Sequence, residues 1–243
     1  MKKFIVFAGV LVLLGAGCQK FNLPKTVEQT NVQNLDEQNI TTTPAVVSTT
    51  PLTEEETKQA VNYKKAQELF NKALRTSITK DKADYRAEVV KLSPNSDIGL
   101  FSQAFILTIQ KTPDYKGSIN LLTKAIKINP KFTYAYANRG ANYFSLGEYD
   151  KAIADASVAI SLDPKLLVGY SNRAAAYQKN NMFNEAMVDL NKALELNSKS
   201  AELYFTRAEV YAALGKMDEA QADLKKFDEF NILSISVEEV KKK

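Results

Sequence analysis

The chain has 243 residues, 32 Lys and Arg against 28 Asp and Glu, no His and a single Cys. A formal charge of +4 is too small to argue for a nucleic-acid partner. Without His, and with Cys18 alone, the sequence excludes Cys–His and Ser–His catalysis, the usual zinc ligand sets and any internal disulfide. No Gly-rich phosphate loop is found, and the acids are spaced like those of solvated helix faces. The expectation is therefore no enzyme activity, no cofactor, no metal and no small-molecule substrate.

Residues 1–17 read as a secretory signal: Lys2 and Lys3, an apolar run from Phe4 to Leu14, then small residues. The run is short of the ~20 apolar residues a membrane-spanning helix needs. It closes on Gly15-Ala16-Gly17-Cys18, which resembles a bacterial lipobox, with Gly15 where that family usually carries Leu. The resemblance implies a lipid anchor at Cys18. The other reading is an ordinary signal cut nearby that leaves a free thiol.

Residues 18–53 are rich in Thr, Asn, Gln and Val, with Pro24, Pro44 and Pro51 and no helical period. They read as a disordered tether of ~30–35 Å average reach. Thr53 then precedes Glu54-Glu55-Glu56, an N-cap followed by acids that complement the helix dipole. Residues 54–98 are expected to form a degenerate helical cap. In it Tyr63, Ala66, Phe70 and Ala73 have the spacing of a repeat's second helix, and Lys80 to Leu92 form another helix ended by Ser93-Pro94.

From Gly99 the sequence repeats every 34 residues, with units 99–132 (the weakest), 133–166, 167–200 and 201–231. Tyr136, Tyr170 and Tyr204 lie one period apart, as do Tyr143, Tyr177 and Tyr211, and Ala152, Ala186 and Ala220. In the first unit Ser102 and Ile109 replace the tyrosines. Small residues at positions 8 and 20 let two helices approach, and Gly147, Asn181 and Gly215 suit a left-handed turn between them. Pro130 and Pro164 stop the second helix. Residues 232–243 are expected to add a short capping helix, Ile232 to Val240, and a solvated basic tail.

This pattern resembles the tetratricopeptide repeat (TPR) family, which implies an all-α, right-handed solenoid of stacked antiparallel helix pairs that binds other proteins. In that family positions 2, 5, 6 and 9 of each first helix line a concave, peptide-binding face. The resemblance places Tyr134, Asn138, Ser171, Asn172, Phe205 and Thr206 there. The carboxylate clamp of chaperone-binding members is matched only at Asn172. Asn138 and Asn172 resemble the family's asparagine ladders, whose amides bond an extended peptide's backbone. An asparagine that faces solvent or bonds within the solenoid is the other reading.

Arg139, Arg173 and Arg207 recur at position 7, and Asp155, Asp189 and Asp223 at position 23; in the first unit both change together, to Phe105 and Leu121. That joint switch predicts structural ion pairs between the two helices of a unit, with anion binding by the arginines as the alternative. Repeats and anchor together look like the outer-membrane TPR lipoproteins of the NlpI kind. The expected function is a lipid-anchored protein-binding adaptor of the bacterial envelope. The alternatives are an assembly component similar to the pilotins, or a surface lipoprotein that meets host proteins.

Overall fold

The computed structural model describes residues 53–240, Ser77 excepted, with backbone only for Thr79 and for 232–240. The expectations for the signal, Cys18, the tether up to residue 52 and the Lys241–Lys243 tail lie outside the described residues. The described residues form ten α-helices and no strand. They are α1 Glu54–Arg75, α2 Thr79–Leu92, α3 Asp97–Thr108, α4 Tyr115–Ile128, α5 Thr133–Ser145, α6 Tyr149–Leu162, α7 Leu167–Lys179, α8 Phe183–Leu196, α9 Ala201–Ala213 and α10 Met217–Val240. Each packs against its neighbour in sequence, so the chain is a series of stacked helix hairpins. No described helix is long and apolar enough to cross a membrane.

The turn inside each of the last three hairpins follows from one residue. Gly147, Asn181 and Gly215 adopt φ of 78°, 58° and 75°. The next amide, of Glu148, Met182 or Lys216, donates back to the carbonyl of Tyr143, Tyr177 or Tyr211 at 2.9 Å. This is the left-handed helix stop, in which a glycine or asparagine lets orphan carbonyls find donors. The second helix ends by a different device. Asn129, Asp163 and Asn197 accept through Oδ1 from the amides of Lys131, Lys165 and Lys199 at 3.1, 2.9 and 3.2 Å. Such Asx turns compete with helix continuation.

Close helix approach fixes the small residues. A Cβ on Gly140 would sit 3.2 Å from the Ala152 carbonyl oxygen and 3.3 Å from Asp155 Cβ. Ala152, Ala159, Ala186 and Ala193 are all buried at comparable crossings. The buried apolar residues form three clusters along the stack, and in the N-terminal one Phe70, Phe101 and Phe132 meet at centroid distances of 5.2–5.8 Å.

Two local expectations change. Tyr63, Ala66, Phe70 and Ala73 lie in α1, the first helix of a hairpin with α2, and not in a second helix. Thr53 caps α1 with a full capping box to Glu56. The connection from α1 to α2 is as short as that from α5 to α6, but α1 ends on an extended Thr76, with φ of −83° and ψ of 136°, in place of a left-handed residue. Buried Asp97 locks this hairpin to the next by accepting from Tyr63 Oη at 3.0 Å and Asn129 Nδ2 at 2.8 Å.

The second change is at the C-terminus, where the expected separate helix Ile232 to Val240 is the continuation of α10. Asn231 stands at the usual stop, but Ile232-Leu233 follow it in place of the Pro-Lys or Ser-Lys of the other units. The last repeat is covered by its own aromatics. Phe227 packs on Phe205 at 5.3 Å and Phe230 stacks on Tyr204 at 5.7 Å. Position 27, which is Phe227 here, is Ala125, Ala159 and Ala193 in the inner units.

Candidate protein-binding groove

First helices of neighbouring hairpins touch one another, α1 with α3, α5 with α7 and α7 with α9, whereas no comparable contact joins the second helices among the described residues. One wall of the stack is therefore built from first helices. Its positions 2, 5, 6 and 9 present small or neutral residues over α5 and α7: Tyr134, Asn138 and Ala141, then Val168, Ser171, Asn172 and Ala175, all half-buried. Ala137 lies beneath them, fully buried. Tyr134 and Val168 pack around Ala137, Ala159 and Leu166, which draws these two helices into one surface. Burial, aided by the nearby Asp163 carboxylate, pushes the Tyr134 phenol up to about 12.

The asparagines are engaged within the protein. Asn138 Nδ2 donates to the Tyr134 carbonyl of its own helix at 2.9 Å. Asn172 Nδ2 donates to the Ala137 carbonyl of α5 at 3.1 Å and so stitches α7 to its neighbour. The wall's hydroxyls also turn inward. Ser171 Oγ donates to Leu167 and Val168 carbonyls at 3.3 Å, and Thr206 Oγ1 to Glu202 at 3.0 Å. What faces solvent is apolar stem, amide edge and ring. Phe205, 39% exposed, is the most open aromatic of the wall.

The position-7 arginines sit away from this wall. Arg139 donates through Nε and Nη2 to both oxygens of Asp155 at 2.7 and 2.8 Å, and Arg173–Asp189 and Arg207–Asp223 have the same bidentate geometry. The aspartates are buried, and their hydrogen bonds hold each guanidinium further above its ordinary pKa. The third nitrogen, Nη1, reaches back to the preceding unit's second helix, to Thr123, Ser157 and Asn191 at 3.0, 3.0 and 2.8 Å. Sequence reasoning missed this inter-repeat tie, although the three acceptors share the 34-residue period.

In the first unit Phe105 meets a cation from elsewhere. The buried Arg86 guanidinium of α2 lies 4.2 Å from the Phe105 ring centre, 4.8 Å from Phe101 and 5.5 Å from Phe70. A cation over desolvated rings takes the place of the ion pair. Among the described residues no group of three or more His, Cys, Asp or Glu is placed to hold a metal ion. A shallow depression lined by Gly147, Tyr149, Asp150 and Asn180 lies beside the inner turns of two neighbouring hairpins.

Comparison with known proteins agrees with this geometry. Residues 133–166, 168–200 and 190–222 match the tetratricopeptide repeat family. The small glutamine-rich tetratricopeptide repeat-containing protein 2 of Saccharomyces cerevisiae is 37% identical over 95 residues, 37% of this chain. The match spans only 27% of that relative's length. Among solved structures, residues 41 to the end of MamA from Desulfovibrio magneticus RS-1 superpose with a TM-score of 0.55 at 16% identity, over 72% of this chain and 95% of that one. A crystal structure of MamA gives 0.54 at 18% identity, over 77% and 99%. These likenesses are of fold. Residues 133–222 thus match tetratricopeptide repeats in sequence, and the helical stack has the fold of such repeats.

Proposed function

We propose that this protein is a membrane-tethered adaptor whose wall of first helices binds an extended segment of another protein. One observation carries the reading. Over α5 and α7 the wall is half-exposed, neutral and floored by small residues, with Tyr134 at one end and Phe205 at the other. Rigid aromatic rings give contact area at small entropic cost, and small residues between them leave room for a chain. TPR proteins as a class work by protein–protein contact. Lipidation of Cys18 and residence in a bacterial envelope extend the same reading, because an anchor followed by a tether would hold the stack off a membrane surface.

The test is site-specific photo-crosslinking in living cells. A crosslinker at Ala175 on the wall should capture partner proteins, and one at Val188, 68% exposed on the second helix α8, should capture none. Equal capture from both sites would overturn the groove. Cys18→Ser should release the chain from membranes or leave an uncleaved precursor. Unchanged fractionation and migration would overturn the anchor.

A further inference from the structure

We propose that the groove selects extended segments that carry a Lys or Arg side chain, which docks on the inner face of α9 between Glu202, Phe205 and Glu209; this rests on the groove reading above. The three residues stand at i, i+3 and i+7 and therefore share one face of the helix. Among positions 2, 5, 6 and 9 of the four units, Glu202 and Glu209 are the only charged side chains, in a protein whose Lys and Arg outnumber its acids. The ion pairs of Lys91, Arg139, Lys151, Arg173, Lys192, Arg207 and Lys226 are all made to other acids. Wall and ligand would thus be complementary in charge at this end alone.

The geometry suits a long cationic side chain. Phe205 is 39% exposed and its orientation is fixed by Phe227 at 5.3 Å, so one side of the ring is preorganised to receive a methylene stem or a guanidinium. Glu209 is held at the α7 boundary by Gln178, whose Nε2 donates to its Oε2 at 3.2 Å. Glu202 is solvent-accessible, yet desolvation raises its pKa. A carboxylate on a concave surface has that combination: open to a ligand but poorly served by bulk water, which strengthens its attraction for a cation.

The experiment uses the full chain in detergent micelles and a set of short synthetic peptides of equal length, each made with Lys, Arg, Gln or Glu at one central position. Wild type should retain Lys and Arg versions about tenfold better than their Gln counterparts, the ratio that ~1.4 kcal/mol produces. In the double variant Glu202→Gln with Glu209→Gln that ratio should fall toward one. Raised salt should narrow it in the wild type as well. Ala141→Trp, which fills the wall beside Asn138, should abolish retention of every peptide. Thermal melting of each variant confirms that the stack is folded. A cation preference that survives in the double variant, while Ala141→Trp still blocks, overturns this proposal and leaves the groove standing. Retention unaffected by Ala141→Trp, or no retention of any peptide, overturns both.

Discussion

Arg173 grips Asp189 across the two helices of one hairpin, Nε to Oδ2 at 2.7 Å and Nη2 to Oδ1 at 2.8 Å, while its Nη1 holds Ser157 of the hairpin before. One side chain thus joins three helices. Stability of a repeat stack is a sum of hairpin and interface terms, and this residue contributes to both. Asp189 is 3% exposed at its side chain, so the carboxylate depends on the guanidinium for its solvation. Arg173→Ala should cost roughly 3 kcal/mol by stranding that charge, as removal of one partner from a buried pair does. The double change Arg173→Phe with Asp189→Leu copies positions 7 and 23 of the first unit and should recover most of the loss. Urea unfolding of the three chains checks this. A double variant as unstable as Arg173→Ala would show that the pair is worth more than its apolar replacement.

Much of this architecture is legible in the sequence because the repeat marks its joints with special residues. Gly147, Asn181 and Gly215 have backbone conformations most residues avoid, and Gly140 touches a neighbouring backbone, so their spacing announces the hairpins. The first hairpin is hidden by two extra residues. Val89 and Pro94 precede Ala125 and Pro130 by 36 residues and not 34, and the break in period masks α1 as a first helix. Arg86 leaves no linear trace either, since a cation under three rings needs residues from α1, α2 and α3 brought together. The asparagines show a further limit. An amide suits a peptide backbone and a neighbouring helix equally, and only the packed distance shows that Asn172 takes the helix.

Tyr134 should titrate late. Its phenol is pushed from an ordinary 10 up to about 12, first by burial and then by Asp163. A raised pKa means that the fold favours the neutral form. The stabilisation is fully present below pH 10 and is lost as pH rises through about 12. Alkaline ultraviolet titration should show Tyr134 ionising well above pH 10, with Tyr63, which burial and its Asp97 neighbour also raise, ionising later still. Tyr134→Phe should remove one late step and flatten the fall of stability with pH in that range. An unaltered late step would place Tyr134 in contact with water.

The aromatic cover of the last repeat predicts a local effect. Phe227 and Phe230 lie over Phe205 and Tyr204 at 5.3 and 5.7 Å, where inner units have another hairpin. Both are half-buried, so Phe230→Ala should cost about 2 kcal/mol, less than a fully buried Phe→Ala change. Because each hairpin contacts only its neighbours, the loss should appear as faster amide exchange in α9 and α10, with α5 and α6 unchanged. Uniform acceleration along the chain would show that the stack unfolds as one unit.

The two groove asparagines should separate by their partners. Asn172 bonds the Ala137 carbonyl across helices at 3.1 Å, whereas Asn138 bonds Tyr134 within its own helix at 2.9 Å. Asn172→Ala removes a contact between repeats and should cost about 1 kcal/mol, the ordinary worth of such a bond. Asn138→Ala loses only a local bond and gains helix propensity, so its net change should lie within about 0.5 kcal/mol. Thermal melting of both variants measures the difference. Equal melting would mean that the α7–α5 bond contributes nothing to the stack. The contrast also decides how capture experiments read. Asn138→Ala keeps its fold, so a loss of partner capture there reports recognition by the amide. The same loss in Asn172→Ala reports recognition only after the α5–α7 wall is shown intact, by unchanged amide exchange in both helices.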